Sequence, residues 1–597
     1  MSLRRVSTPL AILLLGLWLG QAARAVEVRL TADGDDTELG EALENASLTV
    51  EARRADPPPE AQDLLAAARA DYARLLGVLY AQGYYGGVIH IRVDGREVAD
   101  LPPFGAPARI DRVAITVDPG PRFRFSRAEI APLAPGTELP DGFAAGKRAR
   151  ASLIEQAGRT SIAAWRDAGH AKAALADQSV VADHDARTLD ARLRLDPGPR
   201  LRFGRLAIDG RTRVRPERVH AIAGLPEGEV FSPEELQAST ERLRRTGTFR
   251  SVALREADAA NPDGTLDITA ALVDEKKRRL GFGAEYGTTD GLTLSGFWMH
   301  RNLLRGAERL RLSAEIAGLS GETGGIDYSL GALFERPATF TPDTALYVLG
   351  EISADDEPDY KQRDITVGAG LSHIFSDTLE GSAGFLVRYT EIEDDLGDRE
   401  ITQLSFPVSM TRDTRDSELD PRTGTYLSVQ AEPFVGLDNP ENGARLYADA
   451  RAYRGFGERV VVAGRVQMGS LLGASADAVP SDWLFYSGGG GTVRGQPYQS
   501  LAVDLGNDDS RGGRSFVGLS MELRTGITRS IGVVGFVDAG HIGDGEVPGE
   551  GGDWHAGAGL GLRYDTGIGP IRLDVGAPIQ GDTGDGVQIY IGIGQAF

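Results

Sequence analysis

The stretch from Val587 to Phe597 (VQIYIGIGQAF) constrains this chain more than any other. Val587, Ile589, Ile591, Ile593 and Phe597 fall at every second or fourth position, with Gln588, Tyr590, Gly592, Gly594 and Ala596 between them. A strand sends alternate side chains to opposite faces, so one face here is apolar and the other small or polar. A membrane-spanning barrel strand needs about 9–11 residues, with one face in lipid and one in the lumen. The pattern predicts the closing strand of an outer-membrane barrel, with Phe597 continuing its apolar face.

The same rhythm runs through the chain from Leu280 onward. Short alternating runs, among them 404–410 and 531–539, are separated by Gly/Asp turns, and about 16 are expected, an even count as a bacterial barrel requires. The other end reads as a leader. Arg4 and Arg5 precede an apolar core at 10–20, and Ala23-Arg24-Ala25 forms a small-x-small cleavage site, so 1–25 is expected to be a signal peptide for ordinary secretion. No later run of about 18 apolar residues predicts a membrane-spanning helix. With no cysteine, disulfides and thiolate metal sites are excluded. A formal net charge of -22 argues against nucleic acid as a partner.

A repeat divides the first half. Asp118-Pro119-Gly120-Pro121-Arg122-Phe123-Arg124-Phe125 recurs as Asp196-Pro197-Gly198-Pro199-Arg200-Leu201-Arg202-Phe203. Gly83, Gly169 and Gly247 each follow a helical stretch, where glycine suits a left-handed C-cap. These periods predict three small α+β domains in tandem, 26–118, 119–198 and 199–275, with the order β-α-α-β-β clearest in the third. They precede an all-β barrel over 276–597.

One connection breaks the short-turn pattern. The segment 471–513 is too long for a hairpin, and loops of this length are usually functional or disordered. It contains Gly488-Gly489-Gly490-Gly491-Thr492-Val493-Arg494-Gly495-Gln496-Pro497-Tyr498. Taken alone, this reads equally as a flexible surface loop with an incidental arginine. In 531–539, Ile531, Val533 and Val537 form the branched face that must meet lipid, which turns Phe536 and Asp538 toward the lumen. A lumenal carboxylate near an arginine-bearing loop suggests a charge-assisted pair; the plain alternative is a solvated aspartate.

Together these motifs resemble the outer-membrane barrel-assembly superfamily, which carries periplasmic POTRA domains ahead of a 16-stranded barrel. Val493-Arg494-Gly495 matches the (V/I)RG(Y/F) lid-loop motif, and Phe536-Val537-Asp538-Ala539-Gly540 matches F-x-D-x-G in full. Gly559 to Tyr564 and Gly569 to Asp574 resemble the closing signature. Gln496 departs from the pattern, which has an aromatic there; either Tyr498 takes that role or the loop tip sits differently.

With three repeats, the resemblance is greatest to the TamA subfamily, the outer-membrane subunits of translocation and assembly modules. It implies an outer-membrane protein with periplasmic N-terminal domains that inserts or translocates β-barrel clients such as autotransporters, with an inner-membrane-anchored TamB-like partner. It also implies that Arg494 pairs with Asp538 to hold a lid over the lumen. The weak seam would join the first and last strands at Gly281, Gly283, Gly287, Gly592, Gly594 and Phe597, with the glycines reducing packing. Those glycines read equally as space for lumenal neighbours. Rival readings are the superfamily's central assembly subunit, usually with five repeats, a two-partner secretion exporter with two, or a passive plugged pore. No H-E-x-x-H or G-x-S-x-G occurs and the histidines are scattered, so no enzyme, metal or cofactor is expected.

Overall fold

The computed structural model describes residues 26–597 apart from 35, 56–58, 103–106, 108, 288–290, 322–324, 507–508, 529, 568 and 582–585. The expected leader lies outside the described residues. The chain divides into two compact units, the first running to Arg202 apart from two short later segments, the second holding most of the third repeat and the barrel.

The first unit contains two sheets. In one, Glu27–Ala32 runs parallel to Arg112–Asp118, and Val88–Val93 and Arg96–Glu97 complete the order. Helices Thr37–Ala46, Leu48–Arg53 and Ala61–Ala81 belong to it, and Leu64, Leu65, Leu75 and Leu79 of the last are buried in its core. Asp71 on that helix is fully buried and accepts from the Ser47 hydroxyl (2.6 Å) and the Leu48 and Thr49 amides (2.8 and 3.1 Å). It thus satisfies the donors at the start of the neighbouring helix.

The second sheet has Thr188–Asp196 between Arg124–Ala131 and Ala174–Asp183, with a single helix, Ala151–Asp167. The order β-α-α-β-β therefore loses a helix in this repeat. Pro132, Pro135, Gly136, Pro140, Gly142 and Gly146 crowd the segment where it would form. The first repeat gains a helix instead. In the second unit, the third repeat keeps the expected order: Arg202–Asp209, helices Pro216–Ala223 and Pro233–Arg245, then Phe249–Glu256 and Thr265–Asp274.

Sixteen antiparallel strands close the barrel. They begin with β1 Arg278–Gly287, β2 Gly291–Arg301, β3 Arg309–Leu319 and β4 Asp327–Arg336. β5 Thr344–Glu357, β6 Tyr360–Ser376 and β7 Leu379–Asp394 follow. β8 comes in two pieces, Gly397–Ser405 and Val408–Asp413, both lying between β7 and β9. Pro407 stands at the break, where it supplies no ladder N–H, so the run expected at 404–410 is interrupted. The wall continues through β9 Gly424–Gly436, β10 Asn442–Phe456 and β11 Val460–Leu472. It ends with β12 Ser515–Gly526, β13 Ile531–Gly543, β14 Asp553–Tyr564, β15 Ile571–Gln580 and β16 Gln588–Ile593.

Among the described residues no helix is long and apolar enough to cross a membrane; the crossing elements are strands. Their outward side chains, such as Phe282, Leu330, Val367, Met521 and Leu560, are exposed as lipid-facing groups must be.

The last strand departs from the sequence pattern. β16 stops at Ile593, and Gly594 takes φ +91°, which turns the chain out of the wall. The Gln595 amide donates to Leu419 O (2.9 Å), and Phe597 is buried against Tyr453 and Arg524 instead of extending the lipid face.

Candidate functional site: the lid loop and the seam

The segment between β11 and β12 folds into the lumen. Val479, Trp483 and Leu484 pack on Phe434 of β9, and Asp482 accepts from Arg388 of β7 (2.7 Å) and Gln362 of β6 (2.9 Å). The buried Ser487 hydroxyl meets His555 Nε2 at 2.7 Å, against Gly540, where a Cβ would strike the hydroxyl. The loop is therefore fixed to both sides of the barrel.

Its tip carries Arg494, 3 % exposed. Nε and Nη2 donate to the two oxygens of Asp538 at 2.7 and 3.0 Å, and the Arg494 amide adds a third bond at 3.1 Å. Nη1 donates to Glu522 of β12 (2.6 Å) and to Asp574 of β15 (3.2 Å), and the guanidinium lies 3.8 Å from the centre of the Phe536 ring. Arg524 and Arg563 complete the cluster, donating to Glu522 (2.8 Å) and Asp574 (2.5 Å). Three arginines face three carboxylates, all nearly inaccessible. Such charges are retained only when matched and hydrogen-bonded, because an unpaired one costs several kcal/mol.

The loop needs room to reach this depth. Gly557, Gly559 and Gly561 line the inner face of β14, where a Cβ would strike Arg494 O, the Phe536 ring and Asp574 Oδ1 respectively. Gly495, at φ +95°, lies against the Ala577 backbone with no space for a side chain.

Gln496 is fully buried and donates to Ala556 O (2.8 Å) and Gln580 O (3.0 Å). Tyr498 lies elsewhere and donates to Glu357 of β5 (3.1 Å). The aromatic beneath the tip is Tyr590 of β16, whose hydroxyl accepts from the Gly495 amide at 3.2 Å. The lid thus touches the last strand of the wall directly.

At the seam, β1 and β16 share two register pairs among the described residues, Tyr286↔Ile591 and Gly287↔Tyr590. On its other side β1 pairs with β2 through ten, and β15 with β16 through six. From Arg278 to Glu285, β1 offers an edge that β16 does not pair. The seam glycines seat neighbours: a Cβ at Gly281 would strike the Phe297 ring, and one at Gly283 the Ser295 hydroxyl. At Gly592 it would meet Arg572, and at Gly594 it would meet Leu419. A cavity of about 410 Å³ opens on the lumenal side, bordered by Glu285, Tyr286, Tyr498, Arg572 and Tyr590.

Glu522, Arg524, Asp574, Arg563 and Tyr590 carry the site yet received no role from sequence. The signal was available: Glu522 and Arg524 alternate with Met521 and Leu523 in β12, which places both charges inward.

Residues 302–597 match the Omp85 superfamily domain, and residues 201–273 match the POTRA family, described as a surface antigen variable number repeat. This barrel is an Omp85 superfamily domain. The chain is 24% identical over 393 residues to the outer membrane protein assembly factor BamA of Nitratidesulfovibrio vulgaris, covering 63% of this chain and 48% of that protein. It is 22% identical to BamA of Neisseria meningitidis (61% and 49% covered) and 23% identical to the chloroplastic outer envelope protein 80 of Arabidopsis thaliana (90% and 74%). The chain thus spans about half the length of these BamA relatives.

In fold it is similar to BamA from Haemophilus ducreyi lacking POTRA domains 1-3, with a TM-score of 0.61 at 17% identity, covering 79% of this chain and 99% of that one. CdiB from Acinetobacter baumannii gives 0.51 at 11% identity, with 79% and 89% covered. An Omp85 barrel preceded by POTRA sequence, with bacterial BamA relatives, places this protein in the bacterial outer membrane with its N-terminal domains in the periplasm.

Proposed function

We propose that this chain inserts or translocates β-barrel clients, autotransporters among them, across the seam between β1 and β16. In the hydrocarbon region every backbone polar group must be paired, so an isolated client strand cannot enter alone. An unpaired strand edge offers it a template by β-augmentation. The observation that carries this reading is the contrast between two register pairs on one side of β1 and ten on the other. The lid, held by Arg494, keeps the lumen filled and the far wall braced while the seam parts. The POTRA repeats dock clients and an inner-membrane-anchored TamB-like partner. The three repeats that precede the barrel in this sequence are the number the TamA type carries.

The chain has no cysteine, so a pair introduced as Tyr286→Cys and Ile591→Cys reports on the seam alone. Oxidation should stop client assembly, and reduction should restore it. Full assembly through an oxidised seam would refute the proposal.

A further inference from the structure

We propose that the periplasmic foot of β1 and β2 binds anionic phospholipid headgroups of the inner leaflet. Lys276, Lys277 and Arg278 are consecutive and exposed, on a chain whose net charge is -22. No carboxylate among the described residues forms an ion pair with any of the three, unlike Arg242 and Arg245 nearby in the third repeat, both paired with Asp343. Arg278 lies on the face of β1 that carries Leu280 (65% exposed) and Phe282 (87%), so it sits where the lipid-facing band gives way to the periplasm. Across the ladder, Arg278 pairs with His300 and Leu280 with Trp298, whose rings are 6.1 Å apart. An indole beside a cation at a strand end is the arrangement that marks the headgroup level of a bilayer.

Arg279, the next residue, faces the lumen, with its guanidinium 5.6 Å from the Phe297 ring. Of the two arginines, Arg278 is therefore the one on the lipid face, while Lys276 and Lys277 lie exposed just before the strand begins. The same stretch of β1 begins the edge unpaired by β16, along which alternate backbone N–H groups point away from β2. A phosphate there accepts from backbone donors and neutralises the side-chain charge together. Clusters of juxtamembrane Lys and Arg attract anionic lipid.

The test uses the full chain in nanodiscs, reading Trp298 fluorescence against Trp298→Phe as the blank. Brominated phosphatidylglycerol should quench Trp298 at least about twofold more than the same fraction of brominated phosphatidylethanolamine. Substituting Lys276, Lys277 and Arg278 by Gln should abolish that preference, Lys277→Gln alone should lower it, and Arg279→Gln should leave it intact. Equal quenching by both lipids in the parent chain would overturn the proposal. So would a preference that survives the triple variant, or one lost equally in Arg279→Gln.

Discussion

Arg572 of β15 reaches Glu285 of β1 at 3.5 Å by crossing over Gly592 of β16, the strand between them. A Cβ at position 592 would stand 3.0 Å from Arg572 Nε. The charge pair therefore spans a seam that has little backbone pairing of its own. Glu285 is two-thirds exposed, so screening limits the pair to about 1 kcal/mol or less. Such a latch opens without unfolding anything. Glu285→Gln should raise the frequency of spontaneous openings in planar bilayers by up to about fivefold at low salt. High salt should bring the parent toward the variant, because exposed charges are screened. Identical traces at low salt would rule the latch out.

The Arg494 cluster calls for a different outcome. Arg494→Ala leaves Asp538 without its main partner and removes one contact from each of Glu522 and Asp574. Breaking a buried pair from one side costs about 3–5 kcal/mol, measurable as a lower urea midpoint for the folded barrel in liposomes. Asp538→Asn keeps the shape but loses the charge, and should cost less. Exchanging the two charges should recover under half of the loss. A carboxylate at 494 would face Glu522 and Asp574, so the exchange repairs one contact and spoils two. Full recovery would show that Asp538 alone matters to the arginine.

The sequence carried the wall of this protein and little of its lid chemistry. Strand alternation is a local signal, repeated every two residues, and lipid on one face enforces it strongly enough to mark each crossing. Asp538 was placed inward by the same rule. The cluster around Arg494 joins β12, β13, β14 and β15 through a loop, and no local pattern records which lumenal charge meets which. Tyr590 shows the limit well: by alternation it belongs to the polar side of the last strand, yet it supports the lid tip, for which the sequence offered either Tyr498 or a differently seated tip. Phe597 fits the strand period and still turns inward, because Gly594 permits a left-handed turn and Tyr453 and Arg524 receive the ring.

In the second unit, Asp343, in the turn between β4 and β5, accepts from Arg242 (3.1 Å) and Arg245 (2.6 Å) of the third repeat. Burial alone would raise its pKa, but the two arginines outweigh it and hold the carboxyl below its ordinary range. Because the folded value is depressed, the contribution is full above the unfolded value, about 3.9, and is lost as pH falls through the folded one. Asp343→Asn should therefore lower stability by a constant amount, about 1.5–3 kcal/mol, between pH 7 and 5. The parent and variant should converge only in stronger acid. A gap that closes between pH 6 and 5 would point to another group.

The inward tail and the closed seam compete for one segment of chain. Extending the register of Tyr286↔Ile591 would bring Ala284 opposite Ile593, but the chain turns away immediately afterwards, at Gly594. Any residue other than glycine strains that turn, by about 1–2 kcal/mol for alanine. Phe597→Ala removes the ring buried against Tyr453 and Arg524, a loss of about 1.5–3 kcal/mol. Each change weakens the docked tail without touching β1. Each should therefore speed disulfide formation between Ala284→Cys and Ile593→Cys, a pair that oxidises slowly in the otherwise unaltered chain. If both variants oxidise at the parental rate, release of the tail does not extend the seam, and the two arrangements are independent.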